Sequence, residues 1–240
     1  MHPLRTALLS LSCLIAVPAI GEDLPSFGDS SSGIVSQREE RELGHAYLSI
    51  IRGQTAQIPD PLLKNYLEDT VYRLAESSQV QDPRFSFILL KSPQLNAFAA
   101  PGGIIGVNGG LFLYAQNEGE FASVLAHELA HLSQRHFARG LEARQQMQIP
   151  MMAAMLGGII AMAAGAGDAG VAAIASSQAA AMQAQQRFSR QNEQEADRIG
   201  MQTLGNAGYD PRSMPDMFNR LMSQYRYNSK PPEFLMSHPV

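Results

Sequence analysis

Residues 124 to 136, VLAHELAHLSQRH, set three of the chain's six histidines and one glutamate within a single short stretch. No other segment restricts the fold as tightly. A helical pattern opens at Asn117, a residue suited to capping, with Glu120 three positions later, and it persists through this stretch to about Gly140. At about 100° per residue, His127 and His131 lie only about 40° apart around the axis and share a face. His136, nine positions from His127, falls about half a turn away. It reads as a surface residue that cannot join the pair unless the helix breaks.

Two imidazoles at this spacing can meet one ion. Glu128 sits about 100° from His127 and about 60° from His131, beside such an ion rather than on it, where its carboxylate can take a proton from a bound water. His127-Glu128-Leu129-Ala130-His131 is thus the H-E-x-x-H arrangement, which needs a Lewis acid to polarise a carbonyl and a base to activate water. One Zn2+ per chain is the expected cofactor. A catalytic zinc takes three protein ligands and keeps one position open, so a third ligand has to come from elsewhere. In RQNEQEADRIG, 190 to 200, Glu193 and Asp197 are four apart on one face of an expected helix capped by Ser189 or Asn192. Glu195 points about 200° away and reads as solvent-facing. Glu193 is the expected ligand, and Asp197 is then placed to accept from the free ring nitrogen of a zinc-bound histidine. Without the upstream motif these acids would read as a solvated helix face. Arg198 and Tyr209 are candidates for the oxyanion partner.

The N-terminus carries Arg5, an apolar run from Ala7 to Val17 and a small-x-small site at Ala19-Ile20-Gly21. This predicts a signal peptide over 1–21, cleaved near Gly21, and a periplasmic chain. The run is too short for a bilayer span of roughly 20 residues. Cys13 falls inside it, leaving the mature chain without disulfides or thiol chemistry. With 45% hydrophobic residues and a net charge of −4, the chain as a whole suits one well-buried core or one core plus an accessory lobe. The absence of a dense Lys/Arg block argues against a nucleic-acid partner.

A polar, flexible lead over 22–35 precedes the first helix, whose Ser36 and Glu39 have capping-box spacing and whose pattern ends near Gly53. Asp60-Pro61 opens a second helix, with Leu62, Leu63, Tyr66, Leu67, Val71 and Leu74 at helical spacing. RFSFILLK alternates as a half-buried strand would, and LNAFAAPGGIIGVNGG reads as two short strands around a Pro-Gly-Gly turn. Together they predict a small antiparallel sheet. Asp210-Pro211 starts a last helix to about Tyr225, with Met214, Met217, Phe218, Leu221 and Met222 on one face. Residues 150–184, built from Ala, Gly and Met with Asp168 as their one charge, read as a mobile hydrophobic helical cover over the cleft. A membrane-surface element and a weak transmembrane span are the alternatives.

Taken in order, NAFAAPGGIIGVNGGL, HELAH, NEQEADRIG and SHP resemble the gluzincin metallopeptidases that include the prenyl-protein endopeptidases and the HtpX membrane proteases, over roughly 36 to 239. QNEQEADRIG, GYDPRSMP and the signal peptide resemble the exported BepA/YfgC-type branch. The resemblance implies a mostly helical α+β, zincin-like domain over 36–240 in which Glu193 ligates zinc and an edge strand flanks the active-site helix. It makes Asn96, Ala97, Phe98 and Ala99 that strand, able to bind an extended peptide through main-chain hydrogen bonds, although core packing of Phe98 explains the same residues. It further implies unfolded or misassembled envelope proteins as substrates. Related exported proteases usually continue past SHP with a further helix and often helical repeats, whereas this sequence stops at Val240, as a truncated chain or a short member would. His238 reads as an exposed turn residue, as a fourth ligand that closes the open zinc position and keeps the enzyme latent, or as an aid to the transition state. The expected protein is a zinc-dependent endopeptidase. A holdase-like binding module using the same cleft and a membrane-anchored protease are its rivals.

Overall fold

The computed structural model describes residues 35–225 together with Phe234 and His238. The expected signal peptide, nearly all of the polar lead and most of the segment after Tyr225 lie outside the described residues.

Helix starts follow their caps. Ser36 and Glu39 exchange hydrogen bonds in a complete capping box and open α1 (Gln37–Gln54). Asp60 accepts from the amides of Leu62 and Leu63, and Pro61 takes the first position of α2 (Pro61–Glu76). This helix buries Leu67, Val71 and Leu74 but leaves Leu62 exposed.

Three strands follow: β1 (Ser86–Leu90), β2 (Ala97–Ala100) and β3 (Ile104–Asn108). β2 and β3 are antiparallel around the Pro-Gly-Gly turn, where Gly102 and Gly103 take φ of 77° and 83°, values that favour glycine. β1, however, runs parallel to β3, and the strand order is β1-β3-β2. The sheet is therefore mixed, not antiparallel as expected. Alternation identifies which residues form a strand but not which neighbour they choose. Here β2 lies beyond β3, and the turn sends β3 back between the other two. The outer edge of β1 is occupied by residues 56–58, with the Ile58 amide donating to the Leu89 carbonyl and the Lys91 amide to that of Ala56. β2 is left as the other edge.

After the short α3 (Gly109–Tyr114), Asn117 accepts from the Glu120 amide at 2.9 Å and starts α4 (Glu118–Ser133). This helix is buried nearly all round. Its Phe121, Leu125 and Leu129 share one core with Leu67 and Val71 of α2 and Ile105 and Val107 of β3.

The helix expected to run to Gly140 instead stops at Ser133. Arg135 adopts the left-handed region at φ 50°, and α5 (His136–Ala163) departs in a new direction. α6 (Gly167–Asn206) returns against it, and the two cross where Gly158 and Gly170 let their backbones approach. Because α6 is continuous, no helix begins at Ser189 or Asn192. Residues 150–184 lie in this hairpin and turn at 164–166; Met152, Leu156 and Ile160 are exposed there, as is Ile149 just before them. Among the described residues, α5 alone is long and apolar enough to cross a membrane. In α7 (Ser213–Tyr225), Met214, Met217 and Leu221 are buried. Asp210 and Pro211 form the turn before it, with Asp210 accepting from the Arg212 amide.

Candidate metal centre

α4 sets His127 and His131 side by side, with their Nε2 atoms 3.0 Å apart. α6 passes directly over His127 because Gly200 has no side chain there: a Cβ would stand 3.1 Å from the His127 amide nitrogen and Cα. That approach brings Glu193 Oε2 to 3.4 Å from His127 Nε2 and 3.7 Å from His131 Nε2. His238 Nδ1 lies 2.9 Å from the same carboxylate oxygen and 3.3 Å from His127 Nε2. One potential ligand atom from each of the four falls within 4.8 Å of all the others. Tetrahedral zinc with bonds of about 2.0–2.1 Å spaces its ligand atoms about 3.3–3.4 Å apart, so the donor set fits that ion. The outward ring nitrogens fit as well. His127 Nδ1 is 3.0 Å from Asp197 Oδ1, the carboxylate partner expected for a ligating histidine. Buried Phe234 packs its ring against His238, with centroids 4.7 Å apart.

Glu128 is buried beside this group. Its Oε2 accepts from the Ala99 amide at 2.7 Å, whereas Oε1 has no hydrogen-bond partner among the described residues and lies 3.3 Å from His238 Nε2. A buried carboxylate oxygen left without a donor is costly, and its position next to the ligand atoms suits a proton acceptor.

Ala97, Phe98 and Ala99 belong to edge strand β2, and Asn96 immediately precedes it, its carbonyl accepting from Asn108 at 3.0 Å. Pairing alternates along an antiparallel strand, so Phe98 turns its backbone groups to β3 while Ala97 and Ala99 turn theirs outward. The Ala99 amide is already engaged by Glu128. Ala97 is fully buried, so the Ala99 carbonyl is the outward group left on the cavity side of this pair. The Phe98 ring packs against Gly106 and meets Tyr47 edge-on at 6.2 Å. A cavity of about 280 Å³ opens between the sheet and α4, lined by Phe85, Phe98, Ala99, Glu128, His131 and His238 among others. No residue of 150–184 lines it. Arg198 and Tyr209 do not line it either, and the Tyr209 hydroxyl donates to Glu118 at 2.9 Å.

Electrostatics tie the cluster together. Burial alone would lower the pKa of His127, but the carboxylates of Asp197 and Glu193 outweigh it and raise the imidazole to about 9. Burial opposes ionisation of Glu193, yet hydrogen bonds from His127, His131 and His238 hold its carboxyl far below the usual carboxylate range. A cation entering the group would displace protons.

Two residues are placed differently from their sequence reading. His136 is buried, not on the surface, with Nδ1 2.8 Å from His131 Nδ1. Glu195 is buried rather than solvent-facing, and its Oε2 lies 3.1 Å from His136 Nε2 and 2.8 Å from Arg139. The break at Arg135 is responsible: it redirects the chain so that the first residue of α5 swings back toward α4. Arg135 is held there by its guanidinium, which donates to Glu40 at 3.2 Å and to the Val35 carbonyl. No glycine or proline marks the site, so local sequence carries no signal for it.

The family model for peptidase family M48 matches residues 61–240. The beta-barrel assembly-enhancing protease of Escherichia coli (strain K12) is 38% identical over 240 residues, which cover 96% of this chain and 49% of that protein. Its counterpart in Yersinia pestis is 41% identical over 218 residues, covering 90% and 44% respectively. The mitochondrial metalloendopeptidase OMA1 of Arabidopsis thaliana is 28% identical over 150 residues, covering 61% of this chain and 28% of its own. The chain spans about half the length of the curated bacterial relatives it matches.

Proposed function

Because the chain belongs to peptidase family M48, we propose that it is a zinc-dependent endopeptidase of the bacterial envelope, acting in the periplasm on unfolded or misassembled proteins. The observation that carries this reading is the buried Glu128 Oε1, without a hydrogen-bond partner among the described residues, beside three ligand atoms at tetrahedral spacing. Zinc held by His127, His131 and Glu193 would polarise the scissile carbonyl and lower the pKa of the attacking water. Glu128 takes the water's proton on Oε1 and passes it to the leaving amine, while the Ala99 amide fixes its other oxygen. Asp197 orients His127 and sets its tautomer. The Ala99 carbonyl on the cavity side of β2 would pair with an extended substrate, binding main chain irrespective of side-chain identity. The names of the bacterial relatives support substrates connected with β-barrel assembly.

His238 favours a latent resting form within the same reading. Its Nδ1 sits with the ligand group, in the position that the attacking water would need. Substrate binding would then have to move His238 aside, and His238→Ala would raise the basal rate. The exposed apolar residues of the hairpin support contact between 150–184 and a membrane surface.

The test is cleavage of casein by the purified chain and by Glu128→Gln at matched zinc content. Loss of at least about a hundredfold in rate is expected for removal of the general base. Equal cleavage by the two proteins would reject Glu128 as the base. If neither cuts while both hold zinc and bind unfolded casein, the holdase reading replaces the enzymatic one.

A further inference from the structure

We propose that His136, backed by Glu195 and Arg139, is the positioning residue that orients His131 and fixes its tautomer for metal binding. The inference rests on the reading of His131 as a ligand. His131 turns Nε2 toward His127 Nε2 and Glu193, so a neutral ring that ligates through this atom carries its proton on Nδ1. Among the described residues, the polar atom set against that nitrogen at hydrogen-bond distance, 2.8 Å, is His136 Nδ1, which must then accept. An imidazole accepting on Nδ1 carries its own proton on Nε2, and that nitrogen faces Glu195 Oε2 at 3.1 Å. Arg139 donates to the same oxygen at 2.8 Å and keeps it an acceptor. Each proton direction follows from the one before it.

The environment agrees with this assignment. His136 and Glu195 are both buried, so the contacts among these side chains are shielded from bulk solvent. The two zinc-facing histidines are thus supported differently, His127 by the carboxylate of Asp197 and His131 by a neutral imidazole with a carboxylate behind it. The left-handed Arg135 serves this arrangement, because a continuous α4 would carry residue 136 to the far side of the helix.

His136→Phe keeps a ring of similar shape but removes the acceptor, whereas His136→Asn restores one near the Nδ1 position. Zinc affinity measured by chelator competition should fall about 10- to 100-fold in the Phe variant. It should return to within about tenfold of the parent in the Asn variant, and the visible absorption of the cobalt-substituted chain should shift in the Phe variant alone. A merely structural role would give both variants similar losses. Parent-like affinity and an unshifted spectrum in a folded Phe variant would overturn the proposal. If the Phe variant does not fold, the Asn variant decides: loss of more than about tenfold overturns the assignment, and retention upholds it. Failure of the underlying reading looks different, since the parent chain would then bind no stoichiometric zinc and His131→Ala would change nothing.

Discussion

Gly200→Ala adds one methyl group at the point where α6 lies on α4. Its Cβ would stand 3.1 Å from the backbone nitrogen and Cα of His127 and from Cε of Met214. Carbon pairs settle at about 3.5–4.0 Å, so relief asks for roughly half an ångström. The Met214 side chain can swing away, but the backbone of α4 is packed on all sides. The helices must therefore part. Glu193 lies two turns earlier on α6, about 10 Å along the axis, so a helix moving as a rod carries it outward. Metal–ligand distances tolerate only about 0.2 Å, so zinc affinity should fall at least about tenfold in a chelator-competition assay. Stability should move far less. Alanine gains about 1 kcal/mol of helix propensity over glycine, against an overpacking cost of about 1–3 kcal/mol. The net loss corresponds to a fall in Tm of less than about 8 °C. A folded Gly200→Ala chain with unchanged zinc affinity would refute the argument that helix spacing here sets the ligand distances.

Leu125 is fully buried, and Leu125→Ala should cost about 2–5 kcal/mol in urea unfolding. Arg220 pairs with buried Glu120, and its hydrogen bonds hold that carboxyl below its ordinary value against the effect of burial. The stability from Glu120 is present above the unfolded pKa of about 4.5 and is lost as pH falls through the lower folded value. Arg220→Met should cost about 3–5 kcal/mol at pH 7 and flatten this acid limb in urea titrations. In the chain stripped of metal by a chelator, His127 titrates at about 9 rather than 6.5. Its contribution, on the order of 3 kcal/mol, is complete below pH 6.5 and lost as pH rises through 9. Zinc binding should abolish that slope, and a metal-free chain whose Tm is flat from pH 6.5 to 9 would contradict the assignment.

The convergence of His127, His131, Glu193 and Asp197 was legible because each pair is four apart on a helix, where periodicity alone determines the face. The caps at Ser36, Asp60 and Asn117 were legible for the same local reason. His136 and Glu195 were not. Their contact depends on one arginine in a left-handed conformation, stabilised by partners about a hundred residues away in sequence. The mixed sheet escaped too, since a strand's neighbours are chosen by tertiary packing and not by its own alternation. Acidic alternation at 193, 195 and 197 suggested one wet face, but α6 is covered on both sides there, by α4 on one and by the start of α5 on the other.

An open sheet edge is ordinarily a hazard, because any extended segment with unpaired amides can add to it and begin aggregation. In this chain the segment 56–58 closes one side of the sheet, so β2 is the edge on offer among the described residues. Glu128 holds the middle of that edge through the Ala99 amide. A strand recruited there, whether from a client or from a second copy, lies alongside the HELAH helix along its length. On the proposed function, the surface most liable to template misassembly is also the one where a recruited strand would be cut.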